Sequence, residues 1–351
     1  MNQKKTLVIA VTGLNAIDSP GPGVAVARAI RDGMDQPVKI VGLAYENLEP
    51  GIYMDGICDV TYVISYPAAG AEVLFNVISN IHAKEQIDLI IPNFDAELFN
   101  FISIAPRLKD LGIATFLPSF EMFDARDKLN LYEFGKKHNL LVPKDHAIEN
   151  SDDLSKVADE LGFPLVVKGK FYEAEVCHTI EQAKKSFHKI SSKWGLPIIV
   201  QEFIKGTEIN IAALGDGEGN TISIIPMKKL YITDKGKAWA GITLEDEALL
   251  EIATKFISAT KWRGGFELEI MKNEKDELYI MEINPRFPAW IYLSAGAGQN
   301  QPASLVKMAL GEKVEPFTEY EVGKLFIRYA WDMIVDIGRF QQFTAFGKLE
   351  N

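Results

Sequence analysis

A chain of 351 residues exceeds what one small hydrophobic core organises, so two or three packed subdomains are expected. Its composition, 47% hydrophobic and 24% charged, is globular, and a net charge of −11 argues against a nucleic-acid-binding surface, which clusters Lys and Arg. Cys58 and Cys177 give neither a disulfide framework nor a CxxC pair, the histidines show no zinc spacing, and no run approaches the roughly 20 apolar residues of a membrane span.

The apolar run Thr6–Leu14 behind Lys4-Lys5 is short, β-branched and broken by a Gly/Pro loop, unlike a signal peptide. A soluble, cytoplasmic protein is expected. Residues 6–12 read as a strand buried on both faces of a parallel sheet. Gly13–Gly23 is a loop, and a helix begins over Val24–Arg31. Strand, glycine loop and helix make the doubly wound pattern, but Pro20-Gly21-Pro22-Gly23 is not GxGxxG and no acidic ribose partner follows. The turn is therefore read as structural. Strands over Val38–Leu43, Ile87–Pro92 and Ala114–Leu117 alternate with helices over Ala71–Ile81 and Ala96–Leu111. That alternation predicts an open α/β layer.

Beyond Pro118-Ser119, Asp127-Lys128 sits at the start of a helix over Leu129–Asn139. Ser151-Asp152-Asp153 caps a helix that stops at Gly162 and Pro164. Pro164–Lys168 is a strand ending on a lysine, and Thr179-Ile180-Glu181-Gln182 is a capping-box sequence opening a helix to Ser191. Strands follow at Pro197–Ile204, Glu208–Leu214 and Thr221–Met227, and Thr243–Asp246 caps a helix striped with Leu249, Ile252, Ala253, Phe256 and Ile257. After a hairpin come the glycine-rich Ala295–Gly298, a helix to Leu310 and a strand within Lys324–Ala330.

The hairpin arms, Gly265–Met271 and Leu278–Phe287, alternate with period two around the polar Asn273–Glu277. A symmetric loop sets Glu269 opposite Glu282 and Glu267 opposite Asn284. In any register Glu282 and Asn284 leave the same face of their strand. Facing carboxylates repel unless a cation lies between them. Carboxylates with an amide carbonyl are hard oxygen donors suited to Mg²⁺, which completes its octahedron with phosphate and water. Arg286 follows, a planar cation matched to phosphate or carboxylate. By itself the hairpin is equally well a solvent-facing edge with ordinary surface glutamates.

With Asp127-Lys128, Pro164–Lys168, Val200-Gln201-Glu202-Phe203-Ile204-Lys205-Gly206-Thr207-Glu208 and Met281-Glu282-Ile283-Asn284-Pro285-Arg286 in this order, the chain resembles the ATP-grasp superfamily. Its nearest likeness is to stand-alone ligases similar to the synthetase units of carbamoyl-phosphate synthase. The resemblance implies a Rossmann-like pre-ATP-grasp α/β domain over 1–117, then a two-lobed α+β grasp: an N-lobe with lid over 118–203 and a C-lobe carrying the metal and phosphate site over 204–351. It implies ATP as cofactor, with Mg²⁺, or Mn²⁺ in its place. Lys128, Lys168 and Lys170 then reach the nucleotide phosphates. Gln201, Glu202, Phe203 and Ile204 form the linker beside the adenine, where main-chain groups of Glu202 and Ile204 read the base edge. Glu208 binds the ribose, Met271 floors the adenine, and Glu269, Glu282 and Asn284 hold the metal. Arg286 meets the γ-phosphate or acyl phosphate.

Two departures stand out. The lid loop Gly169–Glu175 has a single glycine, so phosphate cover is expected either to be incomplete or to depend on Lys170. Glu267 occupies the position where many relatives place an arginine, so Lys228, Lys229 or Lys237 is expected to supply the missing cation. The chemistry implied is activation of a carboxylate as an acyl phosphate by ATP, then attack by an amine, on small molecules or a peptide. No nucleic acid or membrane is implied, and a homodimer is admitted. Phosphoryl transfer of this kind needs positioning and charge neutralisation rather than a Ser/His or Cys/His nucleophile. Two other readings stay open: phosphorylation of bicarbonate or carbamate, and a non-catalytic ATP-binding sensor or subunit.

Overall fold

In the computed structural model, which describes residues 5–16, 20–170, 173–234 and 236–351, the first apolar run is a fully buried strand, β1 (Leu7–Val11). It is followed by β2 (Val38–Ala44), β3 (Val60–Val63) and β4 (Leu89–Ile91). The middle of the chain carries β5 (Asp145–Ile148), β6 (Leu165–Gly169), β7 (Ala174–Cys177) and β8 (Ile198–Glu202). Next come β9 (Gly206–Asp216), β10 (Thr221–Ile232), β11 (Ala238–Thr243), β12 (Arg263–Asn273) and β13 (Leu278–Asn284). Two short strands, β14 (Leu325–Ile327) and β15 (Lys348–Glu350), follow near the C-terminus. The strands form three sheets, ordered β15-β3-β2-β1-β4, β5-β8-β6-β7 and β13-β12-β9-β10-β11-β14. The mixed α/β architecture with a two-lobed α+β part is the one expected.

The chain divides into two compact units: Met1–Met122, Asn210–Glu267 and Asn284–Asn351 make the first, and Phe123–Ile209 with Leu268–Ile283 the second. In the first, β1 pairs in parallel with β2 and β4, β2 with β3, and β15 returns antiparallel along β3. The helix Pro22–Gly33 buries Val26, Ala27 and Ile30. It starts at Pro22 because proline's missing N–H costs nothing at a helix N-terminus. Gly23 is obligatory there, since a Cβ on it would lie 2.0 Å from the Thr12 carbonyl oxygen. The helix Asp95–Asp110 begins on a buried carboxylate: Glu97 accepts the Asn93 N–H at 2.7 Å, the Phe94 N–H at 3.0 Å, and the Thr12 and Tyr45 hydroxyls. Burial pushes that carboxyl above its ordinary pKa, and the donors around it pull the other way.

The second unit is built on an antiparallel sheet. Its period-two alternation sends Leu165 and Val167 of β6, Ile198 and Val200 of β8, and Ile148 of β5 into one core with Leu154, Ala183, Phe187 and Ile190. The opposite face is left to Lys168, Gln201 and Asp145. The expected strand Ala114–Leu117 shrinks to a single bridge between Leu89 and Ala114. Lys128 stands in the turn before the helix Leu131–His138, three residues outside it. Among the described residues no helix is long and apolar enough to cross a membrane.

Candidate active site

On the free face of the four-stranded sheet, register places Asp145 beside Gln201 and Gln201 beside Val166, so Lys168 meets Gln201 diagonally. The Lys168 Nζ donates to Gln201 Oε1 at 3.0 Å, with both side chains buried. Burial, reinforced by the positive charge of Lys128, pushes the Lys168 ammonium down to about 8, against the pull of Asp145 and Glu282. The same burial raises Asp145 to about 6, opposed by Lys168. Lys128 Nζ lies 3.4 Å from Glu282 Oε1, and Lys170 Nζ lies 3.3 Å from Asp127 Oδ2. The second unit thus gathers Lys128, Lys168 and Glu282 into one electrostatic group, with Lys170 held on the residue before Lys128. Two lysines that repel each other, one of them desolvated, make this face a candidate site for an anion.

Gln201 and Glu202 end β8, and Phe203 and Ile204 form the link to β9. The Glu202 N–H donates to the Lys144 carbonyl at 2.8 Å, so the main chain of Glu202 can meet a base only through its carbonyl oxygen. Glu208 on β9, with Glu269 and Met271 on β12, is half-buried. Gly206 is pressed against the Lys272 main chain, where a Cβ would lie 2.2 Å from the carbonyl oxygen. The hairpin turn closes with the Asn273 N–H on the Glu277 carbonyl at 3.0 Å and with Asp276 at φ +61°. The symmetric loop expected from the sequence would instead pair Asn273 with Leu278. At the turn that register is wrong by one residue, because a left-handed residue at Asp276 shortens the loop.

In the first unit the organising group is Glu267, buried on β12. Its Oε1 accepts from Asn210 Nδ2 at 2.8 Å and Trp290 Nε1 at 2.7 Å. Its Oε2 accepts from Asn284 Nδ2 at 3.1 Å and lies 3.5 Å from the Arg286 guanidinium. Arg286 is held further by Asp95, Nε to Oδ2 at 3.0 Å, and by Asn284 Oδ1 at 3.3 Å. Lys228 and Lys237 stand exposed on β10 and in the turn that follows it, and neither belongs to this cluster. Lys229 Nζ is turned onto the Gly236 carbonyl at 3.3 Å. Phe171 and Tyr172 of the lid loop, and Lys235, lie outside the described residues.

Sequence reasoning missed Asp95, Asn210, Trp290 and Asp145. Asp95 and Asp145 sit where a strand or helix begins and look like ordinary capping or edge residues. Asn210 carried a readable signal, being two residues beyond Glu208 on the same strand. Among the described residues no group of three or more His, Cys, Asp or Glu side chains is placed to hold a metal. The donor types on β13 nonetheless fit Mg²⁺: a carboxylate at Glu282 and, at Asn284, an amide whose nitrogen donates to Glu267 and whose oxygen, which also accepts from Arg286 at 3.3 Å, is the ligating atom type.

Comparison with known proteins gives a consistent picture. Residues 196–326 match the family described as ATP-grasp in the biosynthetic pathway with Ter operon. The chain is 25% identical over 266 residues to the carbamoyl phosphate synthase large chain of Clostridium perfringens, covering 68% of this chain but only 23% of that relative's length. Among solved structures it resembles a biotin carboxylase–β-γ-ATP complex from Campylobacter jejuni, with a TM-score of 0.70, 18% identity, and coverage of 91% of this chain and 74% of that one. It also resembles the biotin carboxylase domain dimer of a Hydrogenobacter thermophilus 2-oxoglutarate carboxylase with MgADP, ADP and bicarbonate. There the TM-score is 0.67 and the identity 16%, over 88% of this chain and 71% of that one.

Proposed function

We propose that the chain is an ATP-dependent ligase of the ATP-grasp superfamily, a reading supported by the family match over residues 196–326. It activates a carboxylate as an acyl phosphate and joins it to an amine, releasing ADP and phosphate. The observation that carries the reading is Lys168, a buried ammonium pushed down to about 8 with Lys128 and Glu282 in electrostatic reach. A desolvated lysine beside a second lysine is stabilised by an anion received between them. In this reading residues 1–117 form the pre-ATP-grasp domain, 118–203 the N-lobe and lid, and 204–351 the C-lobe.

Lys128, Lys168 and Lys170 bind the phosphates, Gln201 to Ile204 border the adenine, Glu208 holds the ribose and Met271 floors the base. Glu269, Glu282 and Asn284 would hold Mg²⁺ or Mn²⁺, which when bound neutralises phosphate charge and orients it. Arg286 supplies a fork of donors for the transferring phosphoryl group, and its ion pairs with Asp95 and Glu267 keep that fork oriented. Lys228 and Lys237 complete the cation set of this proposal. Their exposure suits recognition of an anionic substrate at least as well. The substrates are a small carboxylate and an amine, or a peptide. A homodimer and a cytoplasmic location complete the proposal, supported by the exposed Tyr329, Trp331 and Ile334 and by the two free, buried cysteines.

A second reading, with bicarbonate as the acid, is favoured by the bicarbonate bound in one of the similar structures. A carboxylate substrate labelled with ¹⁸O is expected to leave one label on the released phosphate. Unlabelled phosphate, or AMP and pyrophosphate in place of ADP, would end the ligase reading. Transfer of label only from ¹⁸O-bicarbonate would select the second. In either case Arg286→Ala should depress turnover far more than ATP affinity, as expected of a contact made mainly in the transition state.

A further inference from the structure

An asparagine ligates a metal only through its amide oxygen, and its side chain can be turned half a revolution at little steric cost. Something must choose which end faces the cation. Asn284 Nδ2 donates to Glu267 Oε2 at 3.1 Å, so the carboxylate takes the nitrogen end of the amide. Its other oxygen is fixed by two donors from different elements, Asn210 Nδ2 on β9 and Trp290 Nε1 beyond β13. The carboxylate therefore cannot rotate away without leaving two donors unpaired in a buried place. Arg286 closes the arrangement, approaching Glu267 Oε2 at 3.5 Å and Asn284 Oδ1 at 3.3 Å.

We infer that Glu267 is a positioning residue for the metal site: it holds the Asn284 nitrogen so that Oδ1 is presented to the cation, and it sets the Arg286 fork beside it. This inference rests on the proposed role of Asn284 as a ligand. It also assigns a use to the carboxylate that stands where an arginine was expected.

The variant Glu267→Gln keeps the shape of the side chain. With its oxygen retained by Asn210 and Trp290, its new amide nitrogen faces the Asn284 nitrogen, donor against donor, and the Asn284 amide turns over. Titration of Mn²⁺ in the presence of ADP, followed by water-proton relaxation, is expected to show at least a ten-fold loss of Mn²⁺ affinity in Glu267→Gln. Asn284→Asp added to it should restore most of the loss, because an aspartate presents oxygen from either end. By itself, in the presence of Glu267, Asn284→Asp should weaken Mn²⁺ binding despite its extra negative charge, since it sets carboxylate against carboxylate. Trp290→Phe removes one of the two donors that fix the far oxygen and is expected to weaken Mn²⁺ binding by about three-fold, about 0.65 kcal/mol and less than Glu267→Gln does.

If Glu267→Gln binds Mn²⁺ like the wild type while Glu282→Gln does not, the positioning role is wrong and the metal site stands. If Glu282→Gln also binds normally, the metal site itself is wrong. Should Glu267→Gln fail to fold, Asn284→Asp decides the matter: tighter Mn²⁺ binding in that single variant overturns the inference, and weaker binding supports it.

Discussion

Lys168 is the side chain on which the proposed phosphate site most depends, and its protonation would report on binding there. Its strand position was legible, since a lysine closing the apolar run Leu165-Val166-Val167 leaves the face opposite to Leu165 and Val167. Its desolvation was not, because that depends on Gln201 and Lys128, which are distant in sequence. Lys168→Ala should weaken ATP binding by about 1.5–3 kcal/mol, the range for a hydrogen bond to a charged group, as measured by calorimetry. The pH dependence follows from the lowered value of about 8. Phosphate binds the protonated form, so ATP affinity should be full below that value and fall as pH rises through it. At pH 9 only about a tenth of the free protein would carry the charge. ATP binding near pH 8 should therefore take up a proton, seen as a binding enthalpy that varies with the buffer, and Lys168→Ala should remove that variation.

At the scale of elements, local chemistry was readable and edges were not. Thr179 caps the helix Ile180–Trp194 as its sequence predicts, accepting the Gln182 N–H at 3.3 Å. The reciprocal bond shifts by one, since the Gln182 side chain accepts the His178 N–H at 2.7 Å. Thr179→Ala should cost about 1 kcal/mol of stability in urea unfolding. Strands β3, β5, β7, β11 and β15 escaped the sequence reading because they are short, and several are half-exposed. β7 buries one residue of Ala174–Cys177, and β11 alternates around alanine and glycine. The helix Ile337–Phe346 escaped for a related reason: it buries only Phe343 and shows no stripe. Gly265 is a tighter constraint than the sequence suggested, because a Cβ there would lie 2.2 Å from the Phe287 ring. Gly265→Ala should displace Phe287 and with it the neighbouring Arg286, lowering turnover more than the melting temperature.

Across the whole molecule, the first sheet is closed by the last residues of the sequence. β15 pairs with β3 through Lys348–Tyr62 to Glu350–Val60, Leu349 is buried, and the Asn351 amide donates to the Ile52 and Cys58 carbonyls. Removing Gly347–Asn351 should cost about 2–5 kcal/mol, as for loss of a buried leucine, and lower the urea midpoint accordingly. The overall α/β order was legible from the alternation of buried runs and helical stripes. Its closure by β15 was not, since three residues 286 to 290 positions from their partners carry no local sign of them. The interleaving of the two units has a further consequence for inheritance. The chain passes from one to the other after Met122, Ile209, Glu267 and Ile283. A gene fragment ending at Ile209 encodes most of the second unit but lacks Leu268–Ile283, and a fragment resuming there lacks most of the rest. Recombination after Met122 or Ile283 divides the first unit, and after Ile209 or Glu267 it divides both, so no single junction yields two whole units and the pair is transmitted through duplication and fusion as one cassette.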